Sequence, residues 1–354
     1  MLNQLIISSF RGMTNENFLF WQKTHIVGKN GSGKTHILDA IHLATGAKNL
    51  YGNTQLDPEN RIEILFWENF QNASYIFASD DKREFFLVQG KKISKPKYLE
   101  ELPFRTVYVS PFDMNILYFS PAMRREYLDD ILSRAYAQFS KIKRDYEQVM
   151  RQRNALLKKI REDGVAQDGL DFWDQKFAEI AVQYGLYRER YIRYITEKIP
   201  EFPDFFAHYQ VRVKYEGNWI YQENPENFIR NYLQENRQRD IFSGHTHIGP
   251  HRDDFSILMK IDQDEEHSVQ FFLSRGEMKM ILLGLKVIEA DFIAKQTEKQ
   301  LILLVDDIFA ELDENNIILF LNIIIQHQII LTSQKSLPDG INHEKFTCIN
   351  LVNS

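Results

Sequence analysis

A short segment near the N-terminus carries the strongest chemical pattern in this chain. Residues 28–35 read Gly-Lys-Asn-Gly-Ser-Gly-Lys-Thr, which fits the G-x-x-x-x-G-K-[ST] pattern of a phosphate-binding loop. Glycines allow backbone N–H groups to turn toward a phosphate, the lysine adds a positive charge, and the threonine hydroxyl suits Mg²⁺. We therefore predict that a nucleotide contacts Gly28, Lys29, Asn30, Gly31, Ser32, Gly33, Lys34 and Thr35.

Two adjacent carboxylates follow an apolar segment near the C-terminus. Residues 301–305 are Leu-Ile-Leu-Leu-Val, which predicts a buried strand, and Asp306 and Asp307 come directly after it. Beside a phosphate-binding loop, the first acid can hold Mg²⁺ and the second can deprotonate an attacking water. Two acids that merely begin a turn are the alternative, but the loop favours the catalytic interpretation. We predict Lys34, Asp306 and Asp307 as catalytic residues, and Thr35 and Asp306 as Mg²⁺ ligands.

A third pattern lies about 30 residues before the acid pair. Ser274, Arg275 and Gly276 precede an amphipathic segment, and a helix that begins there would present N–H groups and a hydroxyl to an anion. An ordinary serine N-cap is the alternative interpretation. The spacing is that of ATPases whose phosphate site is completed by a second subunit, so we predict that these residues contact the nucleotide of a second copy. Glu311 and Asp313 follow the acids at the distance of a loop that crosses such an interface.

These residues need a scaffold, and the local patterns predict one that is discontinuous in sequence. Strands are predicted at 5–7, 18–20, 24–27, 62–66, 75–78, 105–110, 256–259, 268–272, 301–305 and 329–333, with helices at 36–44 and 278–293. Apolar residues at helical spacing predict one long helix over 121–160 and a second over about 172–199, joined as an antiparallel hairpin. The predicted domains are a front nucleotide-binding part at 1–115, a helical insertion at 116–240 and a back part at 241–354.

The composition limits the class of protein. The 354 residues are 44% hydrophobic and 26% charged, without an apolar run of membrane-spanning length or a signal peptide, and Cys348 is the single cysteine. We therefore expect a cytoplasmic protein that does not engage a membrane. The net charge of −6 argues against general nucleic-acid affinity, so DNA contacts would need a local patch. The candidates lie on the first long helix, where a solvated surface is the alternative, and are Arg124, Arg125, Lys141, Lys143 and Arg144.

Further motifs make the chain recognisable. The full set is Phe10-Arg11-Gly12, residues 28–35, Ser110-Pro111, residues 120–129, Gly249-Pro250-His251-Arg252-Asp253-Asp254, residues 273–276, Asp306-Asp307 and residues 311–313. With these motifs the sequence resembles, over essentially its whole length, the RecF family of recombination mediators, which is allied to structural-maintenance-of-chromosomes and ABC-type ATPases. Two of the blocks, 120–129 and 249–254, are specific to RecF among these relatives.

The resemblance implies a fold and a function. The fold would be α/β, an ABC-type P-loop ATPase head with a mixed sheet flanked by helices and an inserted α-helical arm. The function would be a weak, DNA-dependent ATPase used as a switch. ATP with Mg²⁺ would drive homodimerisation on double-stranded DNA near gaps, single-stranded DNA would also bind, and RecO and RecR would help to load RecA during replication, repair and the SOS response. Arg11 would contact the nucleotide. An ABC-type ATPase of another role, such as phage defence, and a transporter subunit are the alternatives.

The chain also departs from its relatives at several positions. The second acid is Asp307 where ABC-type ATPases usually have glutamate, and the shorter side chain predicts slow turnover. Residues 332–334 are Thr-Ser-Gln where many relatives place a histidine, and no glutamine follows Ser110 closely. The histidines at 245, 247 and 251 resemble a metal cluster, but the RecF-like block there favours a structural or DNA-facing loop.

Overall fold

The computed structural model describes residues 1–47, 60–68, 71–80, 83–118, 120–206, 210–260, 265–308, 312–337, 341 and 346–351. The strands are β1 (Leu2–Phe10), β2 (Met13–Leu19), β3 (Lys23–Val27), β4 (Arg61–Glu68), β5 (Gln71–Ser79), β6 (Glu84–Val88), β7 (Lys91–Ile93), β8 (Phe104–Val109), β9 (Gln210–Glu216), β10 (Asp254–Lys260), β11 (Glu266–Ser268), β12 (Gln300–Asp306), β13 (Gln328–Ser333) and β14 (Thr347–Asn350). The helices are α1 (Lys34–Ala44), α2 (Lys95–Glu101), α3 (Pro121–Ala135), α4 (Phe139–Asp163), α5 (Leu170–Lys198), α6 (Pro203–Phe206), α7 (Pro225–Glu235), α8 (Arg237–Ser243), α9 (Arg275–Thr297) and α10 (Glu314–Ile324).

The chain forms two compact units. The first comprises Met1–Tyr118, Pro200–His208 and Gln270–Ser354, and the second comprises Phe119–Ile199 and Tyr209–Val269. The sequence-based boundary at residue 241 differs from this division, because β10 is paired along its length with β9 in the second unit. The domain scheme itself stays a prediction.

Two sheets build the first unit. The strands β14, β3, β13, β12 and β8 are parallel in that order, and β2, β1, β4, β5, β6 and β7 form an antiparallel sheet. The central strands β12 and β13 are almost continuously buried, as expected for strands that are covered on both faces. In such sheets ligands bind beyond the carboxyl ends of the strands, and here both the loop after Val27 and the acids at Asp306 lie at those ends.

Helix α1 occupies the core of this unit. It contacts strands of both sheets, and every residue from Ile37 to Ala44 is buried. Its apolar side chains join one continuous cluster with residues of β1, β4 and β12. Burial on all sides anchors the helix, so its N-terminus and the loop before it have a fixed position.

Helices α4 and α5 form an antiparallel hairpin in the second unit. Tyr146 packs on Phe177 and Tyr184, and Phe139 packs on Tyr187, so residue numbers rise along one helix as they fall along the other. The chain turns between Asp163 and Leu170, with Gly164 in a left-handed conformation at φ 66°. This confirms the predicted helical hairpin.

A buried ionic network connects the hairpin to α3, α8 and the segment after α8. Arg153 has no exposed surface, and its guanidinium donates to Asp174, Asp240 and Thr246 at 2.8 Å each. Arg188 donates to Asp129 at 2.9 Å and to the Pro250 carbonyl at 2.6 Å.

Two predicted elements are wrong in their extent. The helix predicted over 121–160 is interrupted, because Tyr136 adopts an extended conformation at φ −126° and ψ 115°. Its ring packs against Tyr187 of α5, so tertiary contacts override a continuous helical pattern.

The strand predicted over 268–272 ends at Ser268, and a short 3₁₀-helix follows at Val269–Phe271. Val269 and Leu273 are buried but Phe271 between them is 76% exposed, which does not match the two-residue period of a strand.

No helix among the described residues has both the length and the apolar character to span a membrane.

Candidate nucleotide-binding site

The predicted phosphate-binding loop joins β3 to α1. Gly31 and Gly33 have positive φ values of 79° and 87°, a region that side chains with a Cβ rarely occupy. Gly33 caps α1, and the first N–H groups of a helix have no partner within the helix. The Lys34 ammonium folds back onto the loop and donates to the carbonyls of Gly28 at 2.7 Å and Lys29 at 2.9 Å. Lys34 is therefore held over the loop while one N–H of its ammonium remains for a ligand.

Two features of the loop fit a polyphosphate. The Ser32 hydroxyl oxygen is buried and has no hydrogen-bond partner among the described residues. A Cβ added to Gly28 would lie 2.5 Å from that oxygen and 3.2 Å from Cβ of Leu351, so only glycine leaves space there. A buried hydroxyl without a partner is costly, and a phosphate oxygen would accept its hydrogen bond. The donors present in the loop therefore suit the group that the sequence predicts.

The structure brings the two predicted Mg²⁺ ligands together. The Thr35 hydroxyl donates to one carboxylate oxygen of Asp306 at 2.9 Å, although 271 positions separate them in sequence. The Thr332 hydroxyl donates to the other oxygen at 2.7 Å, and the Tyr108 hydroxyl lies 3.3 Å from the first. Hydroxyl and carboxylate oxygens are the donor type that Mg²⁺ prefers. Thr35 and Asp306 would hold this ion, and Thr332 and Tyr108 would orient the carboxylate.

Asp307 lies at a backbone position that is uncommon for a residue with a side chain. Its φ is 42°, and its N–H donates to the carbonyl and to the hydroxyl of Thr332 at 3.2 Å each. The Gln334 amide donates to the Asp307 carboxylate at 3.0 Å. Strained backbone of this kind is maintained only when surrounding contacts impose it. Gln334, which sequence reasoning noted only as a departure from its relatives, therefore orients the candidate general base.

Arg11 reaches the same region from the hairpin turn between β1 and β2. Arg11 and Gly12 both have positive φ, at 47° and 81°, in a two-residue loop between the paired Phe10 and Met13. The guanidinium forms an ion pair with Asp39 of α1, whose side chain is 5% exposed. Burial raises the pKa of Asp39 to about 6, although Arg11 acts in the opposite direction, and the charge of Asp306 contributes to the rise. Sequence reasoning did not identify Asp39, because only the turn geometry brings it to Arg11.

Ser274, Arg275 and Gly276 form the exposed N-terminal turn of α9. The Ser274 hydroxyl accepts a hydrogen bond from the Glu277 N–H at 3.3 Å, and the Glu277 carboxylate accepts one from the Ser274 N–H at 2.8 Å. This reciprocal arrangement is a capping box. Within one copy the serine is thus an N-cap, and its contact with a second copy's nucleotide stays a prediction.

The comparisons with known proteins decide the family. A family described as the RecF/RecN/SMC N-terminal domain matches residues 1–338. The chain belongs to this family. The sequence-based resemblance is confirmed, and so is the fold class of an α/β ABC-type ATPase head with a helical arm.

Members of the RecF/RecN/SMC family that carry the RecF name match most of the chain. The DNA replication and repair protein RecF of Caldanaerobacter subterraneus subsp. tengcongensis is 28% identical over 328 residues, which cover 89% of this chain and 88% of that protein. The protein of the same name from Acholeplasma laidlawii is 26% identical over 354 residues, 98% and 97% of the two chains.

Solved structures that are similar to this chain include RecF proteins. A structure of the recombination mediator protein RecF–ATPrS in the RecFOR pathway has a TM-score of 0.85 and 25% identity, covering 100% of this chain and 96% of that chain. A RecF–ATP structure has a TM-score of 0.86 at 24% identity, covers 99% and 95% of the two chains, and agrees in fold.

Of the two predicted interface residues, one is described. Asp313 caps α10, and its carboxylate accepts hydrogen bonds from the backbone N–H and side-chain amide of Asn316 at 2.8 and 2.7 Å. Glu311 lies outside the described residues. Interface contact by either residue stays a prediction.

The predicted DNA-contacting residues divide into two groups. Arg124 forms a bidentate ion pair with Asp254, and Lys143 donates to Asp129 at 2.7 Å, so part of their charge is neutralised within the unit. Arg125 donates to the carbonyl of Asp253 at 3.0 Å. The side chains of Lys141 and Arg144 are exposed, and they are the members of this set best placed to contact a phosphate.

The histidines of the second unit make internal contacts. His247 lies 2.7 Å from Asp240, and the two ring nitrogens of His251 lie 2.6 Å from the Tyr146 hydroxyl and 2.9 Å from the Thr246 carbonyl. Burial lowers the pKa of His251 to about 4. A neutral imidazole that donates to the carbonyl and accepts from the tyrosine satisfies both contacts, which is a structural role.

Proposed function

We propose that this chain is an ATP-switched DNA-binding protein that dimerises when ATP is bound and acts in recombinational DNA repair and the replication of gapped DNA. The names of its relatives, RecF proteins of DNA replication and repair and a RecF structure with ATPrS, support the assignment. The observation that carries it is the contact of Thr35 with Asp306 beside Lys34, because these residues are the parts that bind and polarise a nucleoside triphosphate.

The roles of the residues follow from their chemistry. Thr35 and Asp306 would hold Mg²⁺, which when bound would supply positive charge to offset that of the phosphates. Lys34 and Ser32 donate to phosphate oxygens, and Asp307 accepts the proton of the attacking water with its position set by Gln334. Aspartate reaches one methylene less far than glutamate, so hydrolysis is slow and the bound state persists. This is the behaviour of a switch rather than of an enzyme that turns over metabolites.

Dimerisation would complete the site. Each nucleotide would lie between the phosphate-binding loop of one copy and the Ser274–Gly276 turn of the other, so a two-fold dimer buries two nucleotides. The exposed phenylalanines at 271 and 272, directly before that turn, are side chains that a partner surface would cover. We further propose that the dimer binds duplex DNA at gaps and works with RecO and RecR in loading RecA.

Sedimentation velocity tests this proposal. The chain is measured alone, with ADP, and with ATP and Mg²⁺, each with and without a gapped duplex. We expect the chain to be a monomer alone and with ADP, and to become a dimer with ATP and Mg²⁺. We expect the dimer to bind DNA more tightly than the monomer does. A monomer that ignores both ATP and DNA would contradict the proposal.

Two substitutions separate binding from assembly. Lys34→Arg should abolish turnover, and Ser274→Arg should spare ATP binding but block dimerisation. Ser120→Arg is the matched control, because Ser120 is an exposed N-cap of α3 in the other unit and accepts a hydrogen bond from Met123. Dimerisation that survives Ser274→Arg would refute the composite site.

A further inference from the structure

Three ionisable side chains form a buried cluster in the first unit. Asp113, Lys286 and Glu289 are 3%, 2% and 0% exposed. The Lys286 ammonium lies 3.1 Å from a carboxylate oxygen of Asp113 and 3.0 Å from one of Glu289. None of the three belongs to the phosphate-binding loop, the acid pair or the turn that begins α9.

The cluster connects the nucleotide edge of the sheet to α9. Asp113 lies in the 3₁₀-helix Pro111–Leu117, which directly follows β8, and Val109 at the end of β8 pairs with Val305 next to the acid pair. The second carboxylate oxygen of Asp113 accepts hydrogen bonds from the Ser110 N–H at 2.6 Å and the Ser110 hydroxyl at 3.0 Å. One carboxylate is therefore bound both to the strand end beside Asp306 and to a lysine on α9.

The packing around α9 explains why the cluster is important for the position of this helix. Between the cluster and the N-terminus of the helix, a small cavity separates α9 from the residues that follow β8 and β12. On another side, a Cβ added to Gly284 would lie 2.5 Å from Phe206 and 2.7 Å from Phe205, so the helix cannot shift in that direction. Lys279, Leu282 and Leu283 line this cavity from the helix, and Val109 and Ile308 line it from the opposite side.

Stability alone does not account for the cluster. Replacing a buried ionic group with well-packed apolar side chains is often neutral or stabilising, because desolvation offsets the attraction between the charges. Burial raises the pKa of Asp113, and Lys286 acts against that rise. Directional ionic contacts of this kind instead fix the register of the two segments that they join. From Lys286 to the N-cap at Ser274 the helix spans about 18 Å, a distance over which it moves as a rigid rod.

We propose that the Asp113–Lys286–Glu289 cluster positions α9 relative to the nucleotide edge, so that the Ser274–Gly276 turn is aligned with the nucleotide of the second copy. Lys286 is then a positioning residue that acts through α9. The inference rests on the proposed ATP-driven dimer and adds the element that links the two halves of the composite site.

A triple variant tests the cluster as a unit. Asp113→Asn, Lys286→Met and Glu289→Gln together remove all three charges and preserve the approximate shapes of the side chains. The matched control is Asp130→Asn with Arg134→Met, which removes a buried ion pair of 2.9 Å in the second unit. Fluorescent ATP analogue affinity, ATP-driven dimerisation by sedimentation and thermal unfolding are measured for both variants.

The readouts separate positioning from a general structural role. We expect the triple variant to bind nucleotide within about threefold of the wild type while its dimerisation constant weakens by about tenfold or more, and we expect the control to dimerise normally. A triple variant that dimerises like the wild type, or one that loses nucleotide affinity to the same extent as dimerisation, would overturn the inference and leave the proposed function intact. A wild-type chain that does not dimerise with ATP would overturn both.

Discussion

The ion pair between Arg11 and Asp39 offers a quantitative test of the site. Asp39 is 4% exposed, and burial raises its pKa from 3.8 to about 6. A folded-state pKa above the unfolded value means that the protein is most stable, with respect to this group, below pH 3.8. That stability is lost as the pH rises through 6. The full difference corresponds to about 3 kcal/mol at pH 7.

Asp39→Asn removes the charge and keeps the shape. We expect the free energy of unfolding at pH 7 to rise by about 1–3 kcal/mol, because the amide does not carry the desolvation cost of the carboxylate. The gain should fall below about 1 kcal/mol at pH 4, because the wild-type aspartate is then protonated in the folded state and only about half ionised in the unfolded state. Urea unfolding at pH 4, 5 and 7 measures the difference directly.

Asp39→Asn should weaken nucleotide binding although it stabilises the fold. Without the carboxylate, Arg11 loses the partner that holds its guanidinium beside α1, so we expect ATP to bind about three- to tenfold more weakly. Arg11→Met is the companion variant. It leaves Asp39 without its cation, and should therefore destabilise the protein at pH 7 and have little effect at pH 4. An Asp39→Asn protein that is destabilised equally at both pH values would refute the reasoning.

The remaining predictions concern the general base, the arm and α9. Asp307→Asn should trap the ATP-bound dimer, and Gln334→Ala should slow single-turnover hydrolysis while leaving ATP affinity unchanged; equal rates for wild type and Gln334→Ala would remove the glutamine from the site. Arg153→Met removes the cation shared by two buried aspartates, which keep only Arg237 and His247 as ionisable partners among the described residues, and should lower the free energy of unfolding by about 3–5 kcal/mol, as measured by urea titration. Gly284→Ala places a methyl group 2.5 Å from Phe206 and should cost about 1–3 kcal/mol, whereas an unchanged melting temperature would show that α9 can shift.

The parts of the site that are contiguous in sequence could be predicted from it. The loop at 28–35 carries its own pattern, and the apolar strand before Asp306 indicates that the acids lie at the carboxyl end of a sheet. From these two facts the meeting of Thr35 and Asp306 follows, and their 2.9 Å contact agrees with it. The sequence predicted a helix from 278 and allowed an N-cap at Ser274 as the alternative interpretation, and in the structure Ser274 is that N-cap.

The parts that depend on tertiary contact could not be predicted. Asp39, Tyr108 and Gln334 reach the site through packing between separate elements, and no local spacing indicates their roles. The interruption at Tyr136 carries neither proline nor glycine, so helical periodicity alone gives no reason for the chain to leave the helix. At this interruption the Tyr136 ring contacts Tyr187, which is 51 positions later in the chain and therefore outside any local pattern.

A mixing experiment tests the central claim most directly. Lys34→Ala and Ser274→Arg proteins are prepared separately, then combined with ATP and Mg²⁺ and followed by sedimentation velocity and ATP hydrolysis. If each site joins the loop of one copy to the turn of the other, a mixed dimer contains one intact site. We expect each variant alone to fail to dimerise and to hydrolyse ATP, and we expect the mixture to recover both in part. A mixture as inactive as its components would contradict a site shared between two copies.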